Sequence, residues 1–184
     1  MAVHKALIVV DVQNDFLPGG ALAVPQGDEV IPVLNRYVAE FEQQKLPIFA
    51  TRDWHPPNHC SFRTQGGPWP VHCVLGTPGA EFPASLHLPP SAIVVSKPST
   101  PDRETYSAFE GTDLEQQLRR ASVECVSVGG LATDYCVLNT VKDALLRGFQ
   151  VRLLRKAIRP VNVHPTDGEK AENEMARLGA VLVD

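Results

Sequence analysis

Six short apolar runs punctuate the chain, and the stretches between the later ones carry helical spacing. "KALIVVDV" (5–12) is continuous and rich in β-branched residues, which predicts a strand buried on both faces. Val30, Ile31, Leu34, Tyr37, Val38 and Phe41 then recur at helical intervals, with Asp28 near the start and Pro32 in the first turn. "LPIFATRD" (46–53), "AIVVSK" (92–97), "ECVSVGG" (124–130), "FQVRLL" (149–154) and "GAVLVD" (179–184) predict five further strands. "GTDLEQQLRRA" (111–121), "TDYCVLNTVKDALLRG" (133–148) and "TDGEKAENEMARLG" (166–179) predict the helices that separate the later ones. Strand and helix alternating in this way predict an α/β fold: a roughly six-stranded parallel sheet with helices on both faces, a Rossmann-like three-layer sandwich. Residues 53–91 break the pattern. They are dense in Pro, Gly and His, and a loop of that length is usually functional or disordered.

Composition narrows the picture. The 184 residues suit one domain, 1–184, with the 53–91 segment as an elaborated loop. Apolar residues at 43% and charged residues at 21% are those of an ordinary folded chain. A net charge of -4 and no local run of Lys or Arg argue against nucleic acid as a partner. The first apolar run ends on Asp11 and is too short for a signal peptide or a membrane span, so the protein is expected in the cytoplasm and off the membrane. Cys60, Cys73, Cys125 and Cys136 are irregularly spaced and form no CxxC pair; they read as reduced thiols.

In an open parallel sheet, ligands bind beyond the carboxyl ends of the strands. Asp11, Asp53 and Lys97 end the first three predicted strands, and "GGLATDYC" follows the fourth. Thr133 is a reasonable N-cap and Gly148 a stop, which puts Cys136 at about the third position of a helix, where the helix dipole is expected to lower a thiol pKa. A buried core cysteine explains that position equally well. Asp11 as proton acceptor and Lys97 as the cation that holds it complete an activated-nucleophile set without histidine. Gly129 and Gly130 let the turn present N–H groups to a substrate oxygen.

"DWHPPNH" and "WPVHC" bring Asp53, His55, His59 and His72 into the long loop. Carboxylate and imidazole donors suit zinc, iron or manganese. Phe16, Trp54, Trp69 and Tyr106 either wall a pocket for a flat ring or pack the loop.

Taken together, "VVDVQNDFLPGGALAV", "TRDWHPPNHCSF", "WPVHCVLGTPGAEF", "TYSAF" and "GGLATDYCV", in this order, resemble the nicotinamidase/pyrazinamidase branch of the isochorismatase-like hydrolases. The resemblance implies an enzyme that hydrolyses nicotinamide to nicotinate and ammonia in NAD salvage, acting also on pyrazinamide. It makes Cys136 the nucleophile, Asp11 the proton-transfer residue and Lys97 its charged partner. It makes Asp53, His55 and His72 the ligands of one divalent metal ion, zinc before iron or manganese, while His59 matches a position that ligates in some members only. It also implies a cis peptide between Leu131 and Ala132, an oxyanion hole from the N–H groups of Ala132 and Cys136, and a ring site flanked by Phe16, Trp69, Tyr106 and Leu131. Self-association is suggested by family habit alone. Two positions depart from the pattern: Pro98 stands where Gly is expected after the lysine, and Leu75 where Gln is expected. The competing readings are another cysteine amidohydrolase acting on a carbamoyl compound or aliphatic amide, and a metal-binding or redox-sensing protein without catalysis.

Overall fold

A computed structural model describes residues 4–184. The expected domain bounds begin at residue 1, and residues 1–3 lie outside the described residues. In chain order the elements are β1 (Lys5–Val10), α1 (Val30–Gln43), β2 (Ile48–Arg52), β3 (Ile93–Ser96), α2 (Leu114–Arg120), β4 (Cys125–Leu131), α3 (Leu138–Leu146), β5 (Gln150–Arg159), α4 (Asp167–Arg177) and β6 (Val181–Val183). The six strands form one sheet in the order β3-β2-β1-β4-β5-β6, and every pairing is parallel. The α/β class and the parallel six-stranded sheet are therefore as expected.

The continuous apolar run of β1 has a direct structural cause. Ala6, Ile8 and Val10 face a core shared with α2, α3 and α4, including Leu114, Leu118, Val141, Ala144 and Met175. Leu7 and Val9 face the opposite core under α1, with Val30, Leu34 and Val38. Side chains alternate along a strand, so a strand covered by helices on both faces must be apolar at every position. Each large aliphatic side chain fully buried here contributes about 1.5–3 kcal/mol.

β5 runs to Arg159, five residues beyond the expected 154, because its pairing with β4 resumes after a register shift between Val128 and Gly130. The segment expected as one helix over 133–148 is divided: Thr133–Val137 forms a wide π turn, and the α-helix begins at Leu138. Ala132 O accepts from the N–H groups of both Tyr135 and Val137, at 3.1 Å each, and this sets the wider pitch. Thr133 makes no side-chain cap. The 53–91 segment is a packed loop held by the bridges His55 to Val74 and Phe62 to Trp69, with Phe62 and Cys73 fully buried. Among the described residues no helix is long and apolar enough to cross a membrane.

Strand order changes direction at β1, whose neighbours are β2 and β4, so a crevice opens beyond the carboxyl ends of β1 and β4. Gly130 has φ +131°, and a Cβ there would overlap the Val10 main chain, so only glycine lets β4 come this close to β1 at the crevice.

Candidate active site

The chain leaves β1 at Asp11 in the left-handed region, φ +47°, which turns the carboxylate inward beneath the crevice. Lys97 directly follows β3 and keeps the sheet pairing through its N–H to Arg52 O at 3.0 Å. Its ammonium forms an ion pair with Asp11 Oδ2 and donates to Asp53 Oδ1 at 2.8 Å and to Cys136 Sγ at 3.1 Å. Thr51, one strand over, donates its hydroxyl to Asp11 Oδ1 at 2.6 Å. Asp11, Asp53, Lys97 and Cys136 are all buried. Four strand ends thus bring one cation, two carboxylates and one thiol into contact.

Burial opposes the charge on Lys97, but the two carboxylates and the Cys136 sulfur outweigh it and hold the lysine well above its usual value. Burial also raises Asp53, but Lys97 and the nearby imidazoles pull it far below the carboxylate range. Asp11 is raised, by burial first and then by the Asp53 charge, against the attraction of Lys97. Cys136 is pushed well above an ordinary thiol by burial, with Asp11 and Asp53 adding to the effect and Lys97 opposing it. The expected lowering by a helix terminus is therefore overturned. Burial, with the two carboxylates adding to it, outweighs the turn's N–H dipoles and favours the protonated sulfur.

Donor atoms of Asp53, His55 and His72 lie within 4.8 Å of one another. His55 is buried, and among the described residues neither ring nitrogen has a hydrogen-bond partner, Nε2 lying 3.5 Å from Asp53 Oδ2; a buried imidazole tolerates this poorly unless something binds it. His72 Nδ1 lies 2.8 Å from Pro70 O. A carbonyl can only accept, so Nδ1 carries the proton and Nε2 offers a lone pair, the arrangement a metal-binding histidine needs. The donor set fits a divalent metal. His59 is different: Nε2 donates to Arg103 O at 3.0 Å, and Nδ1 faces Ser61 Oγ at 2.7 Å. Both nitrogens are occupied, and the ring stacks on His55 at 4.1 Å.

Above the thiol, a narrow cleft is walled by Phe16, Leu22, Val24, Trp69, Tyr106 and Tyr135. Trp69 Nε1 donates to Tyr106 Oη at 3.2 Å, and both rings meet Tyr135, at 5.0 and 5.3 Å. Burial first, with nearby negative charge adding to it, pushes the Tyr106 phenol up to about 12, so it stays neutral. Leu131 is not in this wall. It is fully buried in the α1-side core, because β4 is still a strand there and points it away from the cleft. Trp54 also lies elsewhere, stacked under Arg52 at 3.7 Å. The peptide between Leu131 and Ala132 is cis, and Ala132 lines the cleft beside Cys136. Pro98 packs against Gly111, and the Leu75 side chain is exposed, so neither departure enters the cluster.

Pattern reading missed Thr51, Tyr135, Gln13 and Asp15. Tyr135 was visible as an aromatic next to the cysteine. The other three act through hydrogen bonds between segments far apart in sequence, which periodicity does not record.

The chain is similar to known proteins over almost its whole length. Residues 5–184 match the isochorismatase domain family. The nicotinamidase of Escherichia coli (strain K12) is 40% identical, the match covering 97% of this chain and 93% of that protein. The crystal structure of the pyrazinamidase of Pyrococcus horikoshii in complex with zinc superposes with a TM-score of 0.94 at 52% identity, over 98% of this chain and 99% of that one. PnC1 from L. infantum in complex with nicotinate superposes with a TM-score of 0.91 at 36% identity, over 100% and 96% of the two chains.

Proposed function

Because the chain belongs to the isochorismatase family, we propose that it is a nicotinamidase that hydrolyses nicotinamide to nicotinate and ammonia and also accepts pyrazinamide. The observation that carries this reading is the Lys97 ammonium in contact with Asp11, Asp53 and Cys136, with the buried His55 imidazole beside Asp53. The whole chain acts as one hydrolase domain whose 53–91 loop supplies the metal donors.

With the sulfur held as a thiol, attack and deprotonation go together. Asp11 accepts the Cys136 proton as the sulfur attacks the carboxamide carbon, and Lys97 stays charged throughout, steadying the carboxylate before transfer and the sulfur after it. The N–H groups of Ala132 and Cys136 take the oxyanion. Asp11 then passes its proton to the departing amine, leaving a Cys136 thioester. It next draws a proton from water, the hydroxide attacks the thioester, and the returning thiolate recovers the proton from Asp11. Phe16, Trp69, Tyr106 and Tyr135 hold the pyridine ring by stacking and edge contacts.

Asp53, His55 and His72 would hold one divalent ion, zinc before iron or manganese, and when bound it supplies a Lewis-acid contact for the ring nitrogen that orients the substrate. His59 ranks below these three, because both its ring nitrogens already have partners, although its donor atom also lies within 4.8 Å of those of His55 and Glu104. The acidic chain and its four free thiols suit a reducing cytoplasm.

The test is ammonia release from nicotinamide by zinc-loaded protein, by Cys136→Ala and by protein stripped of metal. Release by the first alone supports the reading. No release by the zinc-loaded wild type would overturn it in favour of a carbamoyl or aliphatic amide substrate.

A further inference from the structure

The turn that follows β1 holds more of the metal loop than its sequence suggests. Gln13 is fully buried, and its side chain lies against the main chain of Asp53. Its Nε2 donates to Asp53 O at 2.8 Å, and its Oε1 accepts from Asp53 N at 2.8 Å. This is the exchange a neighbouring strand residue would make. Main-chain pairing of β1 with β2 runs through Val9 and Ala50, and the chain then turns away at Asp11, so the Gln13 amide takes the place of the missing strand partner. The same Nε2 also reaches Ala80 O at 2.8 Å, where the long loop returns.

Two residues on, Asp15 does the same for the other ligand segment. Its Oδ2 accepts from Cys73 N at 2.7 Å, and its Oδ1 from Ala21 N at 3.3 Å. Cys73 directly follows His72 and sits at φ +46°, a conformation a non-glycine residue keeps only when its surroundings hold it there. Cys73 O in turn accepts from His55 N at 2.9 Å, which ties the two histidine segments together. Between them, Asn14 closes the loop's return through Pro78 O at 2.7 Å. Neither Gln13 nor Asp15 lines the cleft.

We infer that Gln13 and Asp15 are positioning residues that preassemble the metal-ligand set, one fixing the main chain at Asp53 and the other the main chain after His72. The inference rests on the metal reading above. The two residues differ in reach: Asp15 holds only the segment after His72, so its loss weakens zinc without changing the reactivity of Cys136, whereas Gln13 also fixes Asp53, which Lys97 contacts. Outer-shell partners of metal ligands commonly set affinity in this way.

The experiment measures zinc affinity by chelator competition, the visible spectrum of the cobalt-substituted protein, and the rate of Cys136 alkylation by iodoacetamide in metal-free protein. All proteins carry Cys60→Ser, which removes the half-buried competing thiol. Gln13→Met and Asp15→Ala should weaken zinc by about 10- to 100-fold and shift the cobalt bands, with alkylation of Asp15→Ala within about twofold of wild type. Asp15→Asn keeps an acceptor for the Cys73 N–H and should recover most of the affinity. If Gln13→Met does not fold, the Asp15→Ala and Asp15→Asn pair decides the matter. Zinc affinity and cobalt spectrum matching wild type, whatever the change in melting temperature, would overturn the inference, as would an Asp15→Ala protein that loses zinc affinity in step with alkylation. A wild type that binds no zinc would remove the metal reading itself, a failure told apart by that one control.

Discussion

Thr51→Val removes one hydroxyl from beneath the site and leaves the shape of the side chain almost unchanged. Thr51 is fully buried, its hydroxyl donates to Asp11 Oδ1 at 2.6 Å, and Asp11 N keeps its main-chain bond to Thr51 O at 3.2 Å in the variant. A hydrogen bond to a charged group contributes about 1.5–3 kcal/mol. At 1.36 kcal/mol per pKa unit, its loss raises Asp11 by roughly one to two units further. Asp11 already lies above its ordinary value, with burial as the largest cause, and the Thr51 bond is one of the influences that lower it. The base must be ionised to accept the Cys136 proton, so activity falls as pH drops through the Asp11 pKa. The acid limb of kcat/KM for ammonia release should therefore move up by about one to two pH units, with the plateau above it preserved. The sign for stability follows from the same shift. A carboxyl raised in the folded state binds protons that the unfolded chain has already released, so stability falls as pH rises between the two pKa values, and Thr51→Val widens that window. Urea denaturation should show a larger loss above the Asp11 pKa than below it. An acid limb that stays in place while the plateau drops at every pH would refute Asp11 as the titrating base.

Lys97→Met leaves Asp11 and Asp53 buried without their cation; a stability loss of about 3–5 kcal/mol is expected by chemical denaturation. Its kcat should fall by about 10³-fold or more, and near-normal turnover would remove Lys97 from the chemistry. Leu131→Ala should lower stability by about 2–5 kcal/mol and leave KM for nicotinamide unchanged, because the side chain is core; a raised KM would return it to the ring site. His59→Phe keeps a ring stacked on His55 and removes both nitrogens, so metal analysis should still find one zinc per chain, and loss of zinc would make His59 a ligand.

Much of the fold was legible because the sheet is parallel and covered on both faces. That arrangement forces continuous apolar strands such as Leu7–Val10, and it forces amphipathic helices such as α1, whose buried Val30, Ile31, Leu34, Val38 and Phe41 follow one stripe. What escaped were local departures from regular geometry. The π turn at Thr133–Val137 has the residue types of an ordinary helix start, and its pitch is set by Ala132 O serving two N–H groups. The extension of β5 depends on re-pairing with β4 after a shift, which a single strand's sequence does not carry.

The site divides along the same line. Asp11, Asp53 and Lys97 were readable because each ends a predicted strand, and Cys136 because it stands in the first turn after the fourth; a parallel sheet gathers those ends. The titration of Cys136 was not, because position along a helix suggested a lowered thiol, whereas burial, with the carboxylates of Asp11 and Asp53 adding to it from distant parts of the sequence, raises it. That difference bears on the chemistry. A preformed thiolate would leave Asp11 with no proton to accept at the first step, whereas a thiol held up by burial keeps its proton for Asp11 to take. Metal-free Cys60→Ser protein should therefore react with iodoacetamide slowly at neutral pH, at a rate that rises only on the alkaline side of an ordinary thiol's titration. Alkylation already at its maximum at neutral pH would show a resting thiolate, and Asp11 would then be confined to protonating the leaving amine and activating water.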